Sequence, residues 1–373
     1  MNKKELRQQF PITQKFTYLN HAGTGPLSSR ARKVIDDCLC IYQQQAEFDL
    51  DDYWRRIHNA RLIVARLLGA QCNEIAFTAN TSEGIFIGLS NLPLKGGDKI
   101  IVMDEVFPAV RYVVDNNFPH LDKIYVSFAG RSGVDVVSRY LDDHVRVVVV
   151  DYVQYLSGSM IDIDELGKFL HERDIYLVVD GIQAIGAVEC DLSRGNVDIL
   201  ACGAAKWLLG PSGIGFVYVN KGLWQDLKKI HTGWLGADWR DFYDCSKRPL
   251  MYEDARKFEI GTRNVMGILA LVENIQIILE LGIQHVHNEI IVLKNRLREE
   301  LKKRGCTIIT PESGPQSGIL TIQHPESNRV FQRLIESKVM ISLRSGNLRF
   351  SPHFYNTVEE IEFASRQFDP RYY

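Results

Sequence analysis

Three consecutive segments decide the fold class: Val145-Arg-Val-Val-Val-Val-Asp151, Asp164-Glu-Leu-Gly-Lys-Phe-Leu-His-Glu-Arg173 and Tyr176-Leu-Val-Val-Asp180. The first and third are short, almost continuously apolar and rich in β-branched residues, which predicts strands covered on both faces. The middle segment has the apolar spacing of a helix. A strand, a helix and a second strand in this order favour an α/β fold with a mostly parallel sheet.

The pattern extends outward from these segments. Ile100-Ile-Val-Met and Gly215-Phe-Val-Tyr-Val219 predict further strands of the same sheet. The last third changes character, with an amphipathic helix over 289–304, several short strand-like runs, and a capping box at Thr357-Val-Glu-Glu360 that opens a final helix. We therefore expect three parts: an N-terminal segment 1–20 near the active site, a large domain 21–269 and a small α+β domain 270–373.

Composition excludes several classes of function. The chain has 373 residues with 46 acidic and 44 basic side chains, a formal net charge of −2, so charge gives no case for nucleic acid or an anionic membrane surface. The polar N-terminus and the lack of a long apolar run predict neither a secretory signal nor a membrane span, which favours a cytoplasmic location.

The cysteines predict free thiols and no metal site. Seven cysteines make an odd number in a large chain, as expected in a reducing compartment. Their spacing completes no set of zinc ligands with nearby His residues. They stand at positions 38, 40, 72, 190, 202, 245 and 306.

Two polar residues stand directly after apolar runs, where parallel sheets bind ligands. Asp180 ends the run Tyr-Leu-Val-Val, and a buried acid there needs a partner, although a cap or a turn explains it equally well. Lys206 comes after Ile199-Leu-Ala-Cys and precedes Trp-Leu-Leu. A desolvated lysine has a lowered pKa and forms Schiff bases, whereas the alternative is a lysine that extends to the surface.

These two positions, together with several further motifs, resemble fold-type I pyridoxal-phosphate (PLP) enzymes of the class V aminotransferase family over essentially the whole chain. That family includes cysteine desulfurases, C–S lyases, isopenicillin N epimerase and kynureninase. The resemblance implies PLP as cofactor and a large domain that binds it. It implies that Asp180 pairs with the pyridinium nitrogen, Gln183 hydrogen-bonds the phenolic oxygen, and Lys206 forms the Schiff base.

The resemblance also implies how the rest of the cofactor is held. Asn80, Thr81 and Ser82 resemble a phosphate cup at a helix start, for which the alternative is a plain N-cap. Phe107 matches the side chain that stacks on the ring, with a core phenylalanine as the alternative, and Ile182 lies at the position facing the opposite side of the ring.

A segment near residue 260 implies the oligomeric state. Phe258-Glu-Ile-Gly261-Thr262 resembles the family's Gly-Thr segment, in which Thr262 reaches the phosphate of the neighbouring subunit. The resemblance therefore implies an obligate homodimer with shared active sites.

The resemblance assigns the substrate side of the site to both ends of the chain. Arg349 matches the arginine that grips the substrate carboxylate, a role suited to a guanidinium fork. Arg344 fits either a second anion contact or a surface ion pair, and the ion pair is the favoured interpretation. Asn20 and His21 belong to the opening strand and loop that border the substrate pocket.

The sequence departs from the family pattern at three places. Gly203 and Ala205 replace the usual Ser and His, which removes two donors to the phosphate. Tyr155 falls where many desulfurases have Asn, with Gln154 as a possible substitute. Residues 339–349 contain no Cys where desulfurases carry their nucleophile, which argues against a persulfide-forming desulfurase.

The sequence thus predicts an enzyme acting at Cα of a small amino acid or a similar metabolite. The implied steps are a Schiff base at Lys206, loss of the Cα proton to a quinonoid, and then transamination or β-elimination, so we favour an aminotransferase or a lyase. A racemase or epimerase of the same family is one alternative. A PLP-fold protein kept for binding or regulation, with weak catalysis, is the alternative from another class.

Overall fold

The computed structural model describes residues 2–239 and 246–368, so Cys245 lies outside the described part. The strands are β1 (Thr17–Tyr18), β2 (Ile75–Thr78), β3 (Lys99–Met103), β4 (Asp122–Val126), β5 (Val145–Asp151), β6 (Tyr176–Asp180), β7 (Ile199–Gly203), β8 (Gly215–Val219), β9 (Thr307–Ile308), β10 (Leu320–Gln323), β11 (Val339–Met340), β12 (Ser342–Arg344) and β13 (Asn347–Phe350). The helices are α1 (Lys3–Gln8), α2 (Ser29–Gln45), α3 (Leu50–Leu68), α4 (Thr81–Asn91), α5 (Pro108–Asn117), α6 (Gly133–Val137), α7 (Ile163–His171), α8 (Val265–Leu281), α9 (Ile283–Lys303), α10 (Ser327–Glu336) and α11 (Val358–Arg366).

A seven-stranded sheet forms the centre of the molecule, in the order β2-β8-β7-β6-β5-β3-β4. The pairs β7–β6, β6–β5, β5–β3 and β3–β4 are parallel, and β8 runs antiparallel to both of its neighbours. The strands β5 and β6 are buried along nearly their whole length, as their β-branched sequences require. The predicted α/β fold with a mostly parallel sheet is confirmed.

Helix α4 is held close to the sheet by two glycines. A Cβ on Gly84 would come within 2.7 Å of the Ala201 side chain, and one on Gly88 within 2.7 Å of Ile199. The Asn80 side chain caps the helix by accepting the Glu83 N–H at 3.0 Å. This packing brings the N-terminus of α4 beside the end of β7.

The C-terminal part has its own antiparallel sheet, in the order β12-β13-β10-β9. Helix α9 covers the region predicted as a helix over 289–304, but it begins earlier, at Ile283. The capping box predicted at Thr357 is present, because its side chain accepts the Glu360 N–H and the Glu360 carboxylate accepts the Thr357 N–H. This part of the chain is therefore α+β, as predicted.

Helices α8 and α9 join the two parts through a bend of 84° at Gly282. The apolar residues of α8 pack in the same cluster as the central sheet, whereas Leu293, Leu297 and Leu301 of α9 pack with the C-terminal sheet. The expected boundary after residue 269 falls inside α8. The division into domains stays a prediction, and this packing favours a boundary near Gly282.

The same two helices are the part of the described chain that comes nearest to a membrane span. Within residues 2–239 and 246–368, no single helix is long and apolar enough to cross a membrane. Helices α8 and α9 meet the length and composition criteria only when they are taken together as one bent pair.

The N-terminal segment ties the two parts together. Strand β1 pairs in parallel with β11 of the C-terminal part. The Phe10 ring stacks on Tyr355 with their centroids 4.4 Å apart, and Leu19 belongs to the C-terminal apolar cluster. The loop after β1 is thereby fixed between the central sheet and β13.

Candidate active site

Polar side chains gather where β5, β6 and β7 end. Asp151 and Asp180 are the last residues of β5 and β6 and are direct neighbours in the parallel ladder. Lys206 comes after β7, beyond a short turn. The carboxyl edge of the sheet therefore brings together two acids and one amine, as expected for the ligand-binding edge of an α/β fold.

Asp180 is a buried carboxyl that is 3% exposed. The backbone N–H of Ile182 donates to its Oδ1 at 2.9 Å. Burial raises the pKa of Asp180 to about 6, while the Ile182 N–H and the charge of Lys206 act in the opposite direction. Such a carboxyl prefers a partner that brings a positive charge or a proton.

Lys206 is an amine in a partly buried position beside Phe107. Its Nζ lies 5.3 Å from the centroid of the Phe107 ring, and it makes no hydrogen bond or ion pair within the described residues. Burial lowers its pKa to about 8; Asp180 raises the value and Arg349 lowers it further. About a tenth of this amine is therefore unprotonated, and so nucleophilic, at pH 7, a far larger share than for an ordinary lysine.

The backbone around Lys206 is held by the N-terminal loop. The Gly25 N–H donates to the Ala205 carbonyl at 2.7 Å. A Cβ on Gly25 would lie 2.1 Å from the Lys206 carbonyl oxygen, so only glycine permits this approach. The position of the amine is therefore fixed from two sides, by β7 and by the loop.

Asp151 is a residue of the site that the sequence analysis did not assign. Its carboxyl is 3% exposed, its Oδ2 accepts the Phe107 N–H at 3.3 Å, and its Oδ1 has no hydrogen-bond partner in the described part of the chain. Burial and the neighbouring Asp180 raise the pKa of Asp151 well above its usual range, against the opposing effect of Lys206. The sequence did contain a signal for a site residue here, because Asp151 ends an apolar run as Asp180 does.

The predicted phosphate cup lies at the start of α4. The Thr81 hydroxyl oxygen accepts the Gly203 N–H at 2.9 Å, and the Asn80 Nδ2 group makes no hydrogen bond in the described part of the chain while its oxygen caps the helix. A Cβ on Gly203 would lie 3.1 Å from Thr81 Oγ1 and 3.2 Å from Ile182 Cδ1. The space of the missing side chain at 203 is thus filled by Thr81 and Ile182. A helix N-terminus with these donors suits a phosphate dianion.

Gln183 is buried behind Lys206 and is oriented by two neighbours. Its Nε2 donates to the Ala22 carbonyl at 3.0 Å, and its Oε1 accepts the Trp207 Nε1–H at 2.9 Å. These contacts fix which end of the amide is the donor. One N–H of Nε2 is left for a ligand, which is compatible with the predicted contact to a phenolic oxygen.

Phe107 and Tyr155 form an aromatic corner next to Lys206. Phe107 is 40% exposed at the start of α5, and the two rings meet edge to face at 5.2 Å between centroids. Gln154 is the alternative ligand suggested by the sequence. Its Nε2 donates to the Glu105 carbonyl at 2.8 Å, and its oxygen accepts the Leu156 N–H at 3.0 Å. These bonds hold its turn and leave one N–H of Nε2, so the role of Gln154 as a ligand stays a prediction.

Arg349 places an unpaired guanidinium at the other side of the site. It is 2% exposed, its Nη1 donates to the Tyr155 carbonyl at 2.5 Å and its Nη2 to Ser342 Oγ at 3.3 Å, while its Nε has no partner in the described residues. Burial and Arg344 lower the pKa of Arg349 to about 10. No acid pairs with it in the described chain, so it is suited to the carboxylate of a ligand.

Asn20 and His21 differ from each other in their relation to this pocket. The Ser342 hydroxyl, which contacts Arg349, donates to Asn20 Oδ1. His21 is 0% exposed, its Nδ1 lies 2.8 Å from the Ser351 carbonyl and its Nε2 lies 2.5 Å from the Tyr355 hydroxyl. Substrate contact by His21 does not fit this arrangement, because both ring nitrogens are already used to join the N-terminal loop to the C-terminal part.

Thr262 lies on a segment that a buried ion network holds. The Glu259 carboxylate accepts from Arg61 at 2.6 Å, from Arg263 and from the Phe77 N–H at 3.0 Å. The two arginines and the Phe77 N–H keep the pKa of Glu259 below its usual value despite complete burial. Thr262, next to Arg263 in the chain, is exposed, and its contact with a neighbouring subunit stays a prediction.

The residues present fit PLP by their own chemistry. An amine with a lowered pKa suits the cofactor aldehyde, and the buried Asp180 carboxyl suits the ring nitrogen. The helix start at Thr81 suits the phosphate, and the orphaned guanidinium of Arg349 suits an amino-acid carboxylate. Fold and site together define a PLP-dependent enzyme of fold type I, and PLP is its cofactor.

The family is established by comparison with known proteins. The model of the family described as aminotransferase class-V matches residues 18–363. The chain belongs to this class V family, as the sequence motifs predicted.

Known proteins resemble the chain over nearly its whole length. The uncharacterized aminotransferase YcbU of Bacillus subtilis (strain 168) is 25% identical over 364 residues, covering 97% of this chain and 96% of that protein. A probable cysteine desulfurase of Pyrococcus abyssi is 26% identical over 391 residues, covering 96% and 95%. Among solved structures, a C-DES mutant with glycine covalently linked to its PLP cofactor superposes with a TM-score of 0.90 at 22% identity, covering 97% and 99%.

Proposed function

We propose that the chain is a PLP-dependent aminotransferase or lyase that acts at Cα of a small amino acid. The observation that carries the proposal is the presence of two basic groups in one site. Lys206 is an amine with a pKa of about 8, and Arg349 is a buried guanidinium that has no acid partner in the described chain. An amino acid offers the two groups that such a site lacks, a carboxylate for Arg349 and a Cα proton for the Lys206 amine.

Each residue has a separate task in this function. PLP, when bound, withdraws electrons from the Cα of the substrate. Arg349 orients the substrate through its carboxylate, so that Cα stays beside Lys206. The unprotonated Lys206 amine takes the Cα proton and returns it to the product. Asp180 holds a proton at the ring nitrogen, where its own raised pKa favours sharing one.

Three more side chains support this arrangement. Phe107 offers an exposed ring face beside Lys206 Nζ, and Ile182 occupies the space next to Gly203 on the other side of the site. Together they offer apolar surface that the cofactor ring would cover when bound. Gln183, fixed by Ala22 and Trp207, has one N–H of Nε2 left for a ligand.

The cysteines argue against persulfide-forming desulfuration, although a probable cysteine desulfurase is among the relatives. Residues 339–349, just before and including Arg349, contain no Cys. Cys306 is buried, and burial raises the pKa of its thiol to about 11; Cys202 is completely buried, which raises the pKa of its thiol well above the usual value. A persulfide carrier needs an accessible thiolate, and neither of these two has one. We therefore favour transamination or β-elimination.

We further propose that the active form is a homodimer with shared active sites. The support is the exposed Thr262, which directly precedes Arg263 of the buried Glu259 network, in a segment that resembles the cross-subunit phosphate contact. Light scattering combined with size-exclusion chromatography tests the stoichiometry, and a monomer that binds PLP fully and turns over substrate would contradict the proposal.

Borohydride reduction of the holoenzyme tests the proposed role of Lys206. We expect reduction to fix PLP on the peptide containing Lys206, and the Lys206→Ala variant to lose this adduct. Lys294→Met is the matched control, because Lys294 is also buried with a pKa lowered to about 7 but donates to Gln316 at 2.7 Å outside the site. An adduct that survives Lys206→Ala would overturn the assignment.

Assays of the products then choose the reaction. The holoenzyme is incubated with single amino acids, with and without a keto-acid acceptor, and sulfide, pyruvate and new amino acids are measured. Keto-acid formation that depends on an acceptor shows transamination, and release of pyruvate with ammonia or sulfide shows elimination. Stable PLP binding without turnover of any amino acid would instead favour a binding or regulatory protein.

A further inference from the structure

Arg344 is a second cation at the substrate side of the site. It is exposed, and its side chain forms no ion pair or hydrogen bond within residues 2–239 and 246–368. The surface ion pair that its sequence position favoured is therefore absent from the described chain. Its positive charge nevertheless acts on Arg349 and helps to lower the pKa of that guanidinium.

The register of the hairpin places both arginines on the same face of the C-terminal sheet. Ser342 pairs directly with Arg349 across β12 and β13, and residues paired in this way point to one face. Arg344 lies two residues beyond Ser342 and points to that face as well. It is therefore the diagonal neighbour of Arg349, and diagonal neighbours have Cα atoms about 7–8 Å apart, within reach of long side chains.

The turn at the hairpin tip fixes where Arg344 begins. Arg344 pairs with Asn347, and the two residues between them, Ser345 and Gly346, have φ values of 48° and 77°. Two successive positive φ values are typical of the tight two-residue turn that matches the twist of a hairpin. The base of the Arg344 side chain is therefore positioned by a defined turn rather than by a long loop.

The charged groups around the pocket show that Arg344 has no anionic partner in the described chain. Three basic side chains, Lys206, Arg349 and Arg344, influence one another in turn. Arg349 lowers the pKa of Lys206, and Arg344 lowers the pKa of Arg349. The two acids of the site, Asp151 and Asp180, are buried at the carboxyl edge of the central sheet. A neutral amino acid satisfies Arg349 with its single carboxylate and leaves Arg344 without an anion.

We propose that Arg344 forms a second anion subsite, so that the preferred substrates are amino acids whose side chain carries an acidic group. The inference rests on the proposed function, because it takes Arg349 as the site of the α-carboxylate. A side-chain carboxylate, sulfonate or phosphate shares the required chemistry. Arg344 is on this view a specificity-determining residue that contacts the substrate.

Matched pairs of amino acids test the subsite in the holoenzyme. Aspartate is compared with asparagine, glutamate with glutamine, and O-phosphoserine with serine, since the members of the first two pairs differ by little more than a charge. Binding is measured by the change in cofactor absorbance on titration, and turnover by kcat/KM. The variants are Arg344→Gln and Arg344→Lys, with Arg139→Gln as the control at an exposed arginine outside the site.

We expect the wild-type enzyme to prefer at least one acidic member over its neutral partner by about fivefold or more in Kd, as for a partly exposed ion pair. Arg344→Gln removes this preference because it weakens binding of the acidic member far more than binding of the neutral one, Arg344→Lys retains part of it, and Arg139→Gln does not change the preference. The pair with the largest effect distinguishes carboxylate from phosphate.

Failure of the subsite differs from failure of the proposed function. Binding of neutral amino acids with no acidic preference, or a preference that Arg344→Gln leaves intact, overturns the subsite only. A protein in which no amino acid changes the cofactor spectrum and borohydride fixes no PLP on Lys206 overturns the proposed function itself.

Discussion

Asp151 and Asp180 are direct neighbours at the ends of two adjacent parallel strands, and both carboxyls are buried. They differ in their hydrogen bonds, because Asp180 Oδ1 accepts the Ile182 N–H at 2.9 Å whereas Asp151 Oδ1 has no partner in the described chain. Two like charges so close in a buried site disfavour double ionisation. The pair therefore retains a proton at a pH at which isolated aspartates have lost theirs.

The first prediction concerns the pH dependence of stability at Asp151. Its pKa is raised in the folded protein, so ionisation of Asp151 destabilises the fold as pH rises from the unfolded value through the folded one. Replacing it by Asn removes this charge. We expect Asp151→Asn to gain stability relative to the wild type as pH is raised above about 4, by about 1–2 kcal/mol at neutral pH.

Thermal unfolding of the apoprotein between pH 4 and pH 8 measures this difference. The control is Asp143→Asn, since Asp143 is exposed. A gain in stability that is the same at every pH would show that packing, and not ionisation, distinguishes the variant.

The second prediction concerns the pKa of Lys206, which two neighbours move in opposite directions. Asp180 raises this pKa and Arg349 lowers it, around a value of about 8. We expect Asp180→Asn to move the midpoint of Lys206 titration below that of the wild type and Arg349→Gln to move it above. Competitive acetylation of the apoprotein, followed by mass spectrometry of the Lys206 peptide, measures the midpoint.

Lys294 serves as the internal control in the same labelling experiment, because its pKa is lowered to about 7 by burial and Arg298. Both variants should leave the Lys294 midpoint unchanged. A shift of Lys206 in the same direction in both variants would refute the charge argument and indicate a general change in burial.

The site residues that could be predicted from the sequence share one property. Each of them stands directly after an apolar run or within a motif. Asp180 and Lys206 stand at or just after the ends of strands, and the carboxyl ends of parallel strands meet at one edge of the sheet. Asp151 was missed although it obeys the same rule, because the motif comparison assigned no role to its position. The strand pairing was needed to place it beside Asp180.

Side-chain partners are the part of the site that the sequence did not reveal. His21 stands in a loop that borders the pocket, but its ring is used by Ser351 and Tyr355, more than 300 positions later in the chain. Gln154 is likewise used by its own turn. Local sequence contains no information on such long-range hydrogen bonds, which decide whether a polar side chain is left free for a ligand.

The third prediction concerns recognition of the carboxylate by Arg349. Its guanidinium is buried and lacks an acid partner in the described chain. We expect Arg349→Ala to lower kcat/KM for the preferred amino acid about 100-fold, and Arg349→Lys to recover little, because lysine lacks the bidentate fork.

The measurement includes, as a control substrate, the corresponding amine without a carboxylate. Its slow turnover should be the same in wild type and variants, and an equal loss with both compounds would show damage elsewhere in the site.

The fourth prediction concerns the buried network below Thr262. Removing Glu259 leaves Arg61 and Arg263 as buried cations without their shared acid. We expect Glu259→Ala to lower the free energy of unfolding by about 3–5 kcal/mol and to weaken dimer formation. Because the pKa of Glu259 is lowered in the folded state, its contribution is present above the unfolded value and disappears as pH falls through the folded one.

Urea unfolding at pH 7 and at pH 4 measures this contribution. Glu172→Ala is the control, since the ion pair of Glu172 with Arg173 is exposed, and such pairs contribute about 1 kcal/mol or less. Equal losses in the two variants would show that the network does not hold the segment.

The fifth prediction restores the side chain that the family usually has at position 203. A Cβ on Gly203 meets Thr81 Oγ1 at 3.1 Å and Ile182 Cδ1 at 3.2 Å, so Gly203→Ser requires both neighbours to move. We expect a loss of about 1–3 kcal/mol in stability and weaker binding of PLP, since Thr81 belongs to the predicted phosphate cup. Adding Ile182→Ala makes room for the serine and should recover PLP binding, measured by fluorescence titration of the apoprotein.

Gly96→Ser is the control, because a Cβ there meets nothing within 4 Å. If Gly203→Ser alone binds PLP more tightly than the wild type, the phosphate site has lost a donor that Thr81 does not replace.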